Sequence, residues 1–149
     1  MFTHLLLPTD GSKLAAKGFK AGIRLAHGLG AKVTAVYVIL PYTPAVYGDA
    51  AMYYVPGLSP QEYKKSAEQG ARKALAAIES EARSAGVPCT TRFVTAKHPH
   101  EAILKVASAA KCDAIVMATH GRGGLGGLIL GSETQRVLAH SKVPVLVIR

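Results

Sequence analysis

Five short runs of apolar and β-branched residues recur along the chain: HLLL at 4–7, KVTAVYVI at 32–39, CTTRFVT at 89–95, DAIVMAT at 113–119 and VPVLVIR at 143–149. A run that is apolar through its middle has no side to give to water, so a strand built from it must be covered on both faces. The segments between the runs carry apolar residues three and four apart. Ala15, Phe19, Gly22, Ala26 and Leu29 follow a capping Ser12, with Gly28 and Gly30 as the stop. Ser59-Pro60-Gln61-Glu62 forms a capping box with proline at the first helical position, and Tyr63, Ala67, Ala71, Ala74, Ile78 and Ala82 carry that helix to Gly86. His98-Pro99 opens a third helix with Ile103, Val106, Ala107 and Ala110 inward, and a short fourth runs over 134–140. Regular alternation of this kind predicts an α/β fold: a single open parallel five-stranded sheet with helices on both faces, residues 1–149 forming one domain. Pro8 is expected to stop the first strand.

The composition agrees, at 49% apolar and 18% charged residues. No apolar run approaches the roughly 20 residues of a membrane span. The stretch MFTHLLLPTDGS has no basic segment ahead of its apolar residues, so it does not read as an export signal, and the expectation is a cytoplasmic protein. Cys89 and Cys112 form no CxxC pair and are expected as free thiols. Net charge is +9, which favours anionic partners. Its basic residues are scattered along helices (Lys13, Lys17, Lys20, Arg24; Lys64, Lys65, Arg72, Lys73), without a dense basic block or aromatic RNA-binding signature. No specific nucleic acid is expected, and the charges read as solvated helix faces. His98-x-His100 is too little for a metal site.

In an open parallel sheet, ligands sit beyond the carboxyl ends of the strands where strand order reverses. Two loops at such ends carry polar chemistry: PTDGS after the first strand, and the stretch from Ala118 to Ser132, with six glycines between 121 and 131. Gly121-Arg122-Gly123-Gly124-Leu125-Gly126 matches GxGxxG, but no acid lies between Thr134 and Arg149 to hold a ribose in the dinucleotide manner. Gly126 and Gly131-Ser132 have the spacing of a P-loop, yet the lysine that loop needs is missing. What remains is a strand end, converging backbone amides and a helix start, which bind phosphate without a lysine. Ser132-x-x-Gln135 also reads as a plain capping box, and Asp10 as a plain turn residue.

LLLPTDGS, VYVI, HPHEAIL, DAIVMATHGRGGLGGLILGSETQRVL and VPVLVI together resemble the nucleotide-binding branch of the universal stress protein family over essentially the whole chain. The family's motif G-x2-G-x9-G-[ST] is met at Gly121, Gly131 and Ser132, with Ala118 at its first glycine, and Lys97 stands where relatives often have glycine. The resemblance implies an adenine nucleotide α-hydrolase-like sheet of order 3-2-1-4-5. It implies ATP or another adenine nucleotide, with magnesium arriving on the phosphates. Asp10 would face the ribose and the backbone near Val38 the adenine. Gly121, Gly131 and Ser132 would lie at the phosphates, within reach of Arg122; Thr9 and Met117 would line the pocket, and Pro8, Ala118 and Glu133 complete the nucleotide-binding set. It also implies a homodimer through the last strand, residues 143–148. Three functions stay open: a nucleotide-responsive stress module without catalysis, a slow ATPase using His120, and an interaction module whose surface is the tyrosine-rich 41–58 stretch with Tyr42, Tyr47, Tyr53 and Tyr54.

Overall fold

The computed structural model describes residues 1–43, 59–119 and 130–149. Strands β1 (His4–Thr9), β2 (Lys32–Ile39), β3 (Cys89–Thr95), β4 (Ala114–Ala118) and β5 (Val145–Ile148) form one sheet in the order β3-β2-β1-β4-β5, every pair parallel. Helices α1 (Lys13–Leu29), α2 (Pro60–Ser84), α3 (Pro99–Ala109) and α4 (Ser132–His140) alternate with them. The expected fold and strand order are what the structure has.

Strand side chains alternate between two separate cores, which is why the runs are apolar at both odd and even positions. Leu5, Leu7, Val33, Ala35, Tyr37, Ala114 and Val116 pack with Phe19, Ile23 and Ala26 of α1 and Ala71, Leu75 and Ile78 of α2. Leu6, Val36, Ile115 and Met117 pack on the other face with Ile103, Val106 and Ala107 of α3 and Val137 of α4.

The first strand does not stop at Pro8 but runs through it to Thr9. Proline has no N–H to give a ladder, and here the β1–β4 pairs end earlier, at Leu5↔Ala114 and Leu6↔Ile115, leaving Pro8 registered with Val36 alone. The last strand begins at Val145 rather than 143: Pro144 accepts from the Ile115 amide and only then does pairing with β4 start.

Helix α1 lies unusually close to the sheet. A methyl group on Gly18 would stand 2.8 Å from the Ala118 backbone nitrogen, and one on Gly22 would collide with the Leu7 side chain. Ser12 caps the helix through a 3.0 Å bond from the Ala15 amide, and Gly30, at φ 63°, ends it in the left-handed conformation. Helix α2 has the expected box: the Glu62 amide donates to Ser59 Oγ and the Ser59 amide to Glu62 Oε2.

At the amino end of the sheet, Asp113 ties β4 to β1 by accepting from the Thr3 amide and hydroxyl and from the His4 amide. Partial burial raises its carboxyl pKa, but these bonds outweigh it and hold the group below the usual aspartate value. His4 is buried with Nε2 2.8 Å from Thr34 Oγ1, and loss of solvent lowers its pKa. Both cysteines are free, and burial pushes each thiol up to about 11.

Candidate functional site

The chain moves outward from β1 in both directions, to β2 and β3 on one side and to β4 and β5 on the other, so order reverses between β1 and β4. Registered pairing between these strands covers only Leu5 and Leu6, whereas the strands run on to Thr9 and Ala118. Their carboxyl ends therefore flank a crevice where an open sheet of this kind takes its ligand.

On the β1 side, Thr9 is buried and its hydroxyl accepts from the Gly11 amide at 3.1 Å. Asp10 Oδ1 accepts from the Ser12 amide at 2.9 Å, closing a turn in which Gly11 takes φ 78°. The turn chemistry foreseen for Asp10 is thus present, and it points the chain into the first residue of α1. Pro8 and Val38 sit partly exposed on β1 and β2, Val38 against the second core. Beyond β2, the Tyr63 hydroxyl donates to the Leu40 carbonyl and Tyr42 stacks edge-on against Tyr63 at 5.5 Å. The rest of the tyrosine-rich stretch, with Tyr47, Tyr53 and Tyr54, lies outside the described residues.

On the β4 side, Met117 is buried in the second core, and Ala118 lies under Gly18. His120, Gly121 and Arg122 lie outside the described residues. The chain is tied at both ends of that stretch, since the Gly131 amide donates to the Thr119 carbonyl at 2.7 Å. Thr134, which the sequence reading passed over, is 3% exposed, and its hydroxyl donates to the Ala118 carbonyl at 3.1 Å. A threonine two positions past a helix-opening Gly-Ser was the available signal.

Ser132 does not cap α4. Gly131 is the capping residue, with no side-chain cap bond among the described residues; Ser132 is the first helical residue, exposed. The box fails because Gln135 turns backward to give its side-chain N–H to the Leu130 carbonyl. A helix start of this kind presents backbone amides and the positive end of the helix dipole.

Glu133 is also engaged. Its Oε2 accepts from the His100 amide at 2.8 Å and lies 3.1 Å from His100 Nδ1, while Oε1 accepts from Arg136 at 2.8 Å. Helix α3 has no cap of its own at His98, so a carboxylate from α4 serves as one and holds the two helix starts together. Nothing in the local sequence announces a cap lent across 33 positions. His98, His100 and His140 line up at ring separations of 6.2 and 6.0 Å. Among the described residues no group of three or more ligating side chains is arranged to hold a metal ion.

Sheet order and helix alternation define an open parallel α/β protein whose strand order reverses between β1 and β4. The chain belongs to the universal stress protein family, whose model matches residues 1–149. It is 33% identical over 150 residues to a universal stress protein of Thermus aquaticus, covering all of both chains. The solved structure of hypothetical protein MJ0577 superposes at a TM-score of 0.80 with 28% identity, over 99% of this chain and 96% of that one. The same fold recurs in more distant structures: a universal stress protein in complex with cAMP (TM-score 0.72, 21% identity), one from Archaeoglobus fulgidus with dAMP (0.69, 17%) and one from Arabidopsis thaliana with AMP bound (0.67, 15%). Each covers at least 98% of this chain and 90% of its own. Among the described residues no helix is long and apolar enough to cross a membrane.

Proposed function

We propose that this chain binds an adenine nucleotide, ATP with magnesium being the first candidate, in the crevice between β1 and β4, and acts as a nucleotide-responsive stress module. The observation that carries the reading is the α4 start at Gly131, tied to Thr119 at the end of β4 and without a side-chain cap among the described residues, beside the strand that ends in the Thr9-Asp10 turn. Phosphates fit the amides of that start, and the Ser132 hydroxyl is exposed beside them. The ribose fits Asp10, and the adenine fits the end of β2 near Val38. The adenine nucleotides held by family members of the same fold support the ligand class. Magnesium would be held by phosphate and water. The reading sets the protein in the cytoplasm, where free thiols persist.

Titration calorimetry with Mg·ATP on the wild type and on Gly131→Val tests this. Gly131 has φ −58°, a backbone that valine adopts without strain, and the added side chain crowds the helix start; circular dichroism of the variant checks that it is folded. Saturable heat in the wild type, lost in the variant, is the expected result. With a dissociation constant of about 10 μM and about 1 mM ligand, binding would raise stability by about 2.7 kcal/mol. No heat with protein shown free of carried nucleotide would sink the reading.

The same proposal includes a two-fold dimer through β5. That strand is a sheet edge, and Leu146 stands 46% exposed on it, a surface that invites pairing with a second copy. Sedimentation showing only monomer at tens of micromolar would refute the dimer and leave the nucleotide proposal standing.

A further inference from the structure

We infer that the outer face of α1 is a docking surface for the phosphodiester backbone of a nucleic-acid duplex, bound without regard to base sequence. Lys13, Lys17, Lys20 and Arg24 follow one another at steps of four, three and four residues and are all exposed. At 1.5 Å per residue they form one line about 16 Å long on a single helix face. Helix α1 contains no acidic residue, and none of the ion pairs among the described residues involves these four. By contrast α2, with five basic residues, carries four acids among them.

The fold gains nothing from the line. Like charges three and four apart oppose helix formation, and Lys13 stands at the positive end of the helix dipole without an acid in the first turn. A uniform cationic row that weakens its own helix is complementary to a partner with regularly spaced negative charge, and duplex strands place a phosphate every 3.4 Å along the axis. Insertion into a bilayer is closed to α1, since its apolar side chains (Phe19, Ile23, Ala26) are buried in the core; plain attraction to anionic headgroups is what the vesicle arm of the test separates from duplex binding. Base reading is not part of the proposal, which rests on the spacing and charge of the row and so on phosphate contact alone.

The test is fluorescence anisotropy with a labelled 20-base-pair duplex of arbitrary sequence at 50 to 200 mM salt. With four phosphate contacts, affinity falls about 150-fold across that range. Lys17→Gln/Lys20→Gln/Arg24→Gln, which spares Lys13 beside the crevice, leaves a fall of about 3.5-fold and much weaker binding at 50 mM. Lys17→Arg/Lys20→Arg keeps the charges and keeps the affinity. Lys64→Gln/Lys65→Gln/Lys73→Gln on α2 removes the same charge and leaves binding as in the wild type. Equal losses in the α1 and α2 triple variants would mean net charge alone acts, and would overturn the assignment. So would the absence of binding at 50 mM salt, or α1-dependent binding to phosphatidylserine vesicles without binding to the duplex. Because ATP binding is measured separately, failure of either proposal leaves the other readable.

Discussion

Helices α1 and α2 cover the same face of one sheet, yet they are held there by opposite means. Helix α1 approaches so closely that Gly18 and Gly22 have no room for a methyl group, and its outer face carries a row of cations and no acid. Helix α2 is eight residues longer, packs through Ala71, Leu75, Ile78 and Ala82, closes its start with a capping box and alternates charge sign. The difference teaches where shape is demanding. The helix beside the crevice is fixed by backbone contact with β4, whereas the helix beside the far edge is fixed by its own local signals.

One substitution made in both helices should break the symmetry most sharply. Gly18→Ala sets a methyl against the Ala118 amide, and the overpacking, less the gain in helix propensity, should cost about 1–2 kcal/mol in urea denaturation. An unchanged midpoint would mean that α1 can back away freely. On α2, Ser59→Ala removes the cap and should cost about 1 kcal/mol by the same measurement. Gly70→Ala on α2 meets nothing within 4 Å and should stabilise by about 0.5–1 kcal/mol, opposite in sign to Gly18→Ala. Lys17→Glu on α1 relieves repulsion from Lys13 and Lys20 and should gain about 0.3–0.5 kcal/mol in thermal melts while weakening duplex binding.

The smallest contrast is in acid. Hydrogen bonds from Ser59 hold the Glu62 carboxyl below its usual 4.5, so its contribution is fully present above that pH and is lost as the pH falls through the lowered value. Hydrogen-exchange protection, taken relative to the intrinsic rate at each pH, should therefore fall at the first turn of α2 on acidification. The first turn of α1, which has no acid, should show no such component.

The parallel sheet was legible because burial on both faces writes uninterrupted apolar runs, and strand order came with the family resemblance. Caps were legible where they are local, as at Ser12 and Ser59. They were not legible where they are borrowed: the partner of the α3 start is Glu133, on another helix. Local spacing misled at Ser132, where the hydroxyl and Gln135 are three apart but Gln135 bonds backward to Leu130 instead. Proline at position 8 read as a stop because a single sequence does not show that the β1–β4 ladder ends before it. In the candidate site, Thr9, Asp10, Ala118 and Gly131 are where the pattern placed them, at adjacent strand ends and a helix start. The placing of Gly18 against Ala118 had no sequence signal beyond a glycine in a helix.

Asp113 gives the assembly of this protein a timetable. The bonds it accepts from Thr3 and His4 join residues about 110 positions apart, and β1 is the central strand of the sheet. A ribosome adding 5–20 residues per second delivers β4 on the order of ten seconds after β1. Through that interval β1 has β2 as its neighbour on one side and nothing on the other. The first strand to emerge is among the last to be completed, and the nascent chain must keep an open sheet edge unpaired until Asp113 arrives to close it.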